Sequence, residues 1–196
     1  MTKRGWTAAA SVVVVFLALG ACDQNGAGVV HRAEDAVSVP VGQTSARVMG
    51  SHQIAAYATN AVLGDMFAII SADIVLQRTK DEEVAAMARR LRAEHSAART
   101  SLEALVRSEV PGLVLPNTLD RRRQGLVDNL QKASSASFDR VYLDQQIAAQ
   151  EEAITLHRGF ANHDASRGLA IHALTVLTGV EDDLTQLRRL RRAIKR

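Results

Sequence analysis

His95 stands in the middle of an apolar stripe, where an ionisable side chain calls for a reason. At about 100° per residue, a helix through this segment puts Val84, Met87, Ala88, Leu91, Ala98, Leu102, Leu105 and Val106 on one face, so the imidazole is expected to point into a core. On a later segment Asp139, Gln146, Gln150 and His157 project within about 40° of one another, a polar row between two apolar arcs. Asp73 shares a direction with Val62, Met66 and Ile69. Asp183 and His172 flank the stripe of Leu169, Ala173, Val176, Leu177, Val180, Leu184 and Leu187. Carboxylate and imidazole ligands suit zinc, iron or manganese, so Asp73, His95 and Asp183, joined by His157 or Asp139, define one candidate: a site for a single metal ion. The competing reading makes His95 a core histidine, hydrogen-bonded to Asp139 or to a glutamine across the bundle and fixing helix register. Buried polar groups commonly pair in this way without chemistry, and no ligand-spacing signature is present, so this second reading is preferred and no cofactor is expected.

Other chemistries lack their residues. A di-iron centre in a helical bundle needs Glu-x-x-His pairs, and the helical region contains none. There is no Gly-rich phosphate loop, no Gly-x-Ser-x-Gly elbow and no His-Glu-x-x-His motif. Ser96 follows His95 in sequence but points about 100° away on a helix, and nothing marks an oxyanion hole. The expectation is a non-enzymatic protein.

The elements that would position these side chains are helices. From Ser51 onwards Ala, Leu, Val, Gln, Arg and Glu dominate, and only Pro111 and Pro116 remain among the prolines. Thr79-Lys80-Asp81-Glu82 reads as a capping box with Thr79 as the cap, and Ser137 and Asp164 read as further caps. Breaks at Pro111-Gly112, Leu115-Pro116-Asn117, Ala133–Ala136 and Asn162-His163-Asp164 leave helices near 52–78, 81–109, 118–133, 137–161 and 165–194. The fold class is all-α: an antiparallel four-helix bundle with one short extra helix, the segment 110–136 carrying the chain across the bundle end. The two-sided apolar character of the 137–161 helix also fits an adaptor whose groove grips a partner helix.

The only cysteine, Cys22, follows Leu19-Gly20-Ala21 at the end of the apolar run Ala8–Leu19, behind Lys3-Arg4. That order of charge, apolar length, small residues and cysteine reads as a bacterial lipoprotein signal: residues 1–21 are removed and Cys22 is lipidated. The apolar stretch is shorter than the roughly 20 residues of a spanning helix. The domain expectation is therefore a signal peptide at 1–21, lipidated cysteine and flexible tether at 22–50, and bundle at 51–196. The location expected is periplasm-facing, anchored in the inner or outer membrane. With Cys22 acylated, no thiol is left for a disulfide.

The full chain carries a formal charge of +3, and removing Lys3 and Arg4 with the signal leaves +1. That near-neutrality, with only 4% aromatic residues, argues against nucleic acid as a partner. Arg188, Arg189, Arg191, Arg192, Lys195 and Arg196 form a basic carboxyl terminus, read as a solvated helix end that favours the dipole. The functional alternative is a basic foot on lipid headgroups or cell-wall polymer, joined by Arg121-Arg122-Arg123. The acids at 81–83, 151–152 and 181–183 are read as solvated faces. An envelope protein or cell-wall polymer is the partner expected beyond the membrane itself.

Three segments carry a family resemblance: Ala72-Asp73-Ile74-Val75-Leu76; Val84–Ala88 running to Glu94-His95-Ser96-Ala97-Ala98; and Phe138-Asp139-Arg140-Val141-Tyr142-Leu143. Over about 60–190 the chain resembles the bacterial domain-of-unknown-function 4142 family, whose members are ferritin-like helical bundles of the cell envelope. The resemblance implies a ferritin-like bundle here. It also implies an acid at Asp73 and an acid–histidine pair at Glu94-His95. The family tends to carry a histidine where this chain has Gln150 and another near Asp183 in the last helix, so two ligand positions are changed here, of which Asp183 could still serve. Because Gln150 is a poor ligand, the resemblance weakens any metal site.

Overall fold

The computed structural model describes residues 53–162 and 166–194. The signal segment, Cys22, the tether to residue 50, the expected cap Asp164, and Lys195 and Arg196 lie outside the described residues. Five helices occur in order: α1 Ile54–Arg78, α2 Glu82–Glu109, α3 Arg121–Lys132, α4 Phe138–Ala161 and α5 Arg167–Ala193. Among the described residues there is no strand. The bounds fall within a few residues of those expected from the breaks.

Four long helices form the bundle. α1 packs on α2, α2 on α5, α5 on α4 and α4 on α1. Arg90 of α2 meets Asp183 of α5, and Arg189 of α5 meets Glu83 of α2, so this neighbouring pair is antiparallel. Tyr57 of α1 likewise meets His157 near the end of α4. α2 and α4 are therefore diagonal and parallel, and the chain between them must return along the whole bundle. α3 makes that return, packed against α1 and α4. The sequence reading placed the 110–136 segment across the bundle end, and the structure corrects this: it runs along the side. Leu113, Leu115 and Leu119 pack near Val106 and Phe160 at one end, whereas Leu130 joins Val75 and Phe138 at the other. One crossover connection of this kind makes the bundle ferritin-like.

α3 also explains why α4 is apolar on two sides. Its neighbours are α1, α3 and α5, three rather than two, so Leu143 and Tyr142 are fully buried on different arcs. α1 is long and apolar enough, at a mean hydropathy of 1.5 in its most apolar window, to satisfy a membrane-span criterion by length and composition. Here it forms one wall of the bundle, with 56% of that window buried inside the fold.

The caps differ in part from expectation. Asp81, not Thr79, caps α2: its carboxylate accepts from Glu83 N at 2.9 Å and Val84 N at 3.1 Å. The Thr79 hydroxyl instead accepts from Asp81 N at 3.1 Å. An acid is the better acceptor there, because its charge also meets the positive end of the helix dipole. Ser137 occupies the N-cap position of α4 but makes no side-chain capping bond. Ser166 caps α5 through Leu169 N. In the turn after α2, Gly112 has φ +95°, a conformation that a side chain resists.

Two apolar clusters fill the interior. One gathers Val75, Val84, Leu91, Leu130, Phe138, Tyr142, Leu187 and Leu190; the other gathers Tyr57, Val62, Leu102, Val106, Leu156, Phe160, Leu169 and Ala173. On each long helix a polar side chain falls between members of the two clusters: Asp65 and Ser71 on α1, His95 on α2, Gln146 and Gln150 on α4, Asp183 on α5.

Candidate functional site

The mid-bundle layer is organised around His95, which is 7% exposed. Asp65 sits on α1 in the 3-4-3-4 series Ala58, Ala61, Asp65, Ala68, Ala72, every member of which is buried. Its position aims the carboxylate at α2, where His95 Nδ1–H donates to Asp65 Oδ1 at 2.8 Å. From α4, Gln150 Nε2 donates to His95 Nε2 at 3.1 Å. With the Gln150 nitrogen facing Nε2, this arrangement corresponds to a neutral imidazole with its proton on Nδ1. If the ring takes a second proton, Nε2 becomes a donor and Gln150 must present Oε1, an atom that now has no partner.

The electrostatics favour holding protons in this layer. Burial opposes a charge on His95, but the hydrogen bond and charge of Asp65, supported by Asp183 and Glu94, outweigh it and raise the imidazole's pKa. Burial raises Asp65 as well, against the lowering influence of His95, His172 and Arg99. Burial, with a hydrogen bond and charge from Glu94, pushes Asp183 up to about 7. Its Oδ1 is 2.9 Å from Arg90 Nε but lacks an aligned hydrogen bond, because that N–H is directed to Glu94 Oε1. Towards the other end, Tyr57 OH and His157 Nδ1 share a hydrogen bond of 3.1 Å, and the His157 and His172 rings stand edge to face at 6.4 Å. Burial, followed by the charges of His172 and His95, holds His157 down at about 3, so it is neutral in the fold.

A pocket of about 500 Å³ opens between α1, α3 and α4 and reaches this layer. Asp65, His95, Gln150 and His157 belong to its lining, with Ala61, Phe67, Ala68, Leu126 and Leu156 supplying apolar wall. Gly64 lines it too, and a Cβ built there meets nothing within 4 Å. Arg122 and Arg123 of α3 converge on Glu152 at 2.8 Å and 2.9 Å, and Arg123 also pairs with Asp120. Gln145 donates to Leu126 O and Asn129 Oδ1. Arg78 donates to Leu130 O, Gln131 O and Ala133 O at the end of α3. The crossover helix is thus fastened over the pocket by these polar contacts together with the buried Val127 and Leu130.

Measured against expectation, the core-histidine reading gains its glutamine, Gln150, but its acid is Asp65 and not Asp139. Asp139 is only partly buried, although its Oδ1 is enclosed without a hydrogen-bond partner. Gln146, Gln150 and His157 of the polar row are buried, Gln146 with neither amide atom paired. The candidate metal ligands Asp73, His95 and Asp183 are not brought together. Asp73 is half exposed and pairs with Arg92 Nε at 2.6 Å, and among the described residues no three His, Cys, Asp or Glu side chains are grouped to hold a metal ion. Asp183 and Glu152, read as solvated, are both buried. Of the basic end, Arg188, Arg189 and Arg191 pair with Glu151, Glu83 and Asp144, which spreads their charge over two neighbouring helices. Arg192 is exposed.

With the bundle and its polar layer described, comparison with known proteins is direct. The family described as "Domain of unknown function (DUF4142)" matches residues 39–190. The chain belongs to the DUF4142 family. No curated protein matches it. Among solved structures it is similar to the crystal structure of a DUF305 fragment from Deinococcus radiodurans, with a TM-score of 0.62 and 13% identity, over 70% of this chain and 93% of that one. At that identity the likeness concerns the fold alone. This DUF4142 chain therefore has its family and its helical fold, while its role rests on its own residues.

Proposed function

We propose that this DUF4142 protein is a non-enzymatic binding component of the bacterial cell envelope, lipid-anchored at Cys22 and holding a small organic molecule in the pocket under α3. The observation that carries the reading is the pocket itself: about 500 Å³ of space, apolar along its walls, ending on the buried Asp65–His95–Gln150 group. Small-molecule sites have this character, a concave apolar volume with a few convergent polar groups. The Lys3-Arg4, Ala8–Leu19 and Gly20-Ala21-Cys22 sequence supports the anchoring.

Gly64 provides the test. A Cβ there meets nothing within 4 Å, so a leucine is expected to extend into the pocket that Gly64 lines, and it removes a helix-destabilising glycine from α1. Native mass spectrometry of the full chain, extracted from bacterial envelopes in a mild detergent, is expected to find a small molecule on the wild type that is missing from Gly64→Leu. If both proteins come out unliganded, or carry the same ligand, the pocket is not a binding site. In parallel, Cys22→Ser is expected to move the protein from the membrane to the soluble fraction, and its retention in the membrane would remove the anchor from the proposal.

A further inference from the structure

The pocket's own hydrogen-bonding balance points to the class of molecule that fits it, and the argument rests on the binding function just proposed. The donors beside the buried group and at Glu152 are already engaged. His95 Nδ1–H is given to Asp65, and Arg122 and Arg123 are given to Glu152. What the lining leaves unmet is acceptors. Asp65 uses Oδ1 for His95, and no hydrogen bond reaches its second oxygen among the described residues. The Gln145 carboxamide is fixed in orientation because its nitrogen donates to both Leu126 O and Asn129 Oδ1, so the atom left without a partner is its carbonyl oxygen. Gln150, with its nitrogen on the neutral His95 ring, likewise leaves Oε1 without a partner, an orientation that holds only while the ring is neutral. Gln145 and Gln150 are 8% and 1% exposed, deep enough that an unmet acceptor is costly.

We infer that the pocket binds a small organic cation, a primary amine on an apolar body, with its ammonium against the free oxygen of Asp65. The ammonium brings three donors and no acceptor, which complements this lining. Its charge also offsets that of a carboxylate held in a low-dielectric interior, and the apolar body lies along Ala61, Ala68 and Leu126. A carboxylate ligand would have to use Arg140, the remaining cation of the lining. That residue lies ten positions from Gln150 on α4, about 15 Å along the helix axis and far from the Asp65–His95 group.

Isothermal titration of the full chain in detergent, with hexylammonium, hexanoate and hexanol as probes, separates these cases. Hexylammonium is expected to bind and hexanoate not to. Asp65→Asn and Gly64→Leu are each expected to weaken hexylammonium by at least about tenfold, the scale of a charge-assisted hydrogen bond. Gly64→Leu leaves the Asp65–His95 bond in place, so it serves even if Asp65→Asn folds poorly. Binding of hexanoate or hexanol as tight as the amine, and sensitive to Gly64→Leu, overturns the cation assignment while leaving the pocket as a binding site. Amine binding that ignores both substitutions overturns the assignment as well. Failure of all three probes overturns the assignment and counts against the binding function beneath it.

Discussion

Asp65 and His95, thirty residues apart on antiparallel helices, meet at 2.8 Å between carboxylate Oδ1 and imidazole Nδ1, with both side chains almost wholly enclosed. The bond fixes the imidazole tautomer and the register of α1 against α2, and it forms the inner wall of the pocket. Replacing Asp65 by Asn removes the charge and keeps the shape. In Asp65→Asn the His95 pKa is expected to fall, because burial then acts without the opposing carboxylate. Titration of the His95 ring by NMR measures it; an unchanged pKa would show that Asp65 does not hold the proton.

His157 sets an acid limit on stability. Its folded pKa, about 3, lies below the unfolded 6.5, so the unfolded chain binds the extra proton between those values. The stability linked to this group is complete above pH 6.5 and is lost as the pH falls towards 3. In His157→Phe that part of the acid slope is expected to vanish. The cost at neutral pH is about 1 kcal/mol, from the orphaned Tyr57 hydroxyl. Urea unfolding at pH 7.5, 6, 5 and 4 gives both quantities.

Asp183 acts in the opposite sense. Its pKa, raised from 3.8 to about 7, means that the folded state keeps a proton that the unfolded state releases. The associated stability is present below pH 3.8 and is lost as the pH rises through 7. Asp183→Asn is expected to flatten the stability profile between pH 5 and 8. The same urea series is decisive: a wild-type slope that persists in the variant assigns that slope to another group.

Glu152 fastens α3. The carboxylate and the Arg123 guanidinium are both nearly buried, with side chains 10% and 6% exposed. Glu152→Ala leaves Arg122 without this acceptor and the nearly buried Arg123 with Asp120 alone, and a loss of about 3 kcal/mol is expected. Adding Arg122→Met and Arg123→Met should restore much of it. Thermal denaturation of the single and triple variants measures the difference, and equal melting temperatures for the two would refute the clasp.

Much of the fold was legible. Helix composition, the prolines at 111 and 116 and the short breaks near 79 and 162 dictate four long helices and one short one, because those signals are local in the chain. The inward direction of His95, Gln146, Gln150 and His157 was legible too, since it follows from a 3.6-residue period. Asp65 could have been found by the same means. Its 3-4-3-4 spacing with Ala58, Ala61, Ala68 and Ala72 marks it as buried, whereas Asp73 falls off that series and reaches solvent and Arg92.

What the sequence determined alone is thus each helix and the face it buries, because both depend on residues within a few turns of one another. The tertiary structure decided which faces meet. It sent α3 along the bundle rather than across its end, joined Asp65 to His95 and Gln150 to make one group from three helices, and buried Glu152 and Asp183 against arginines on neighbouring helices. A periodicity records the angle of a side chain about its own axis; the partner at that angle depends on how far each helix is slid and turned against the next, and that is settled only when the whole core packs.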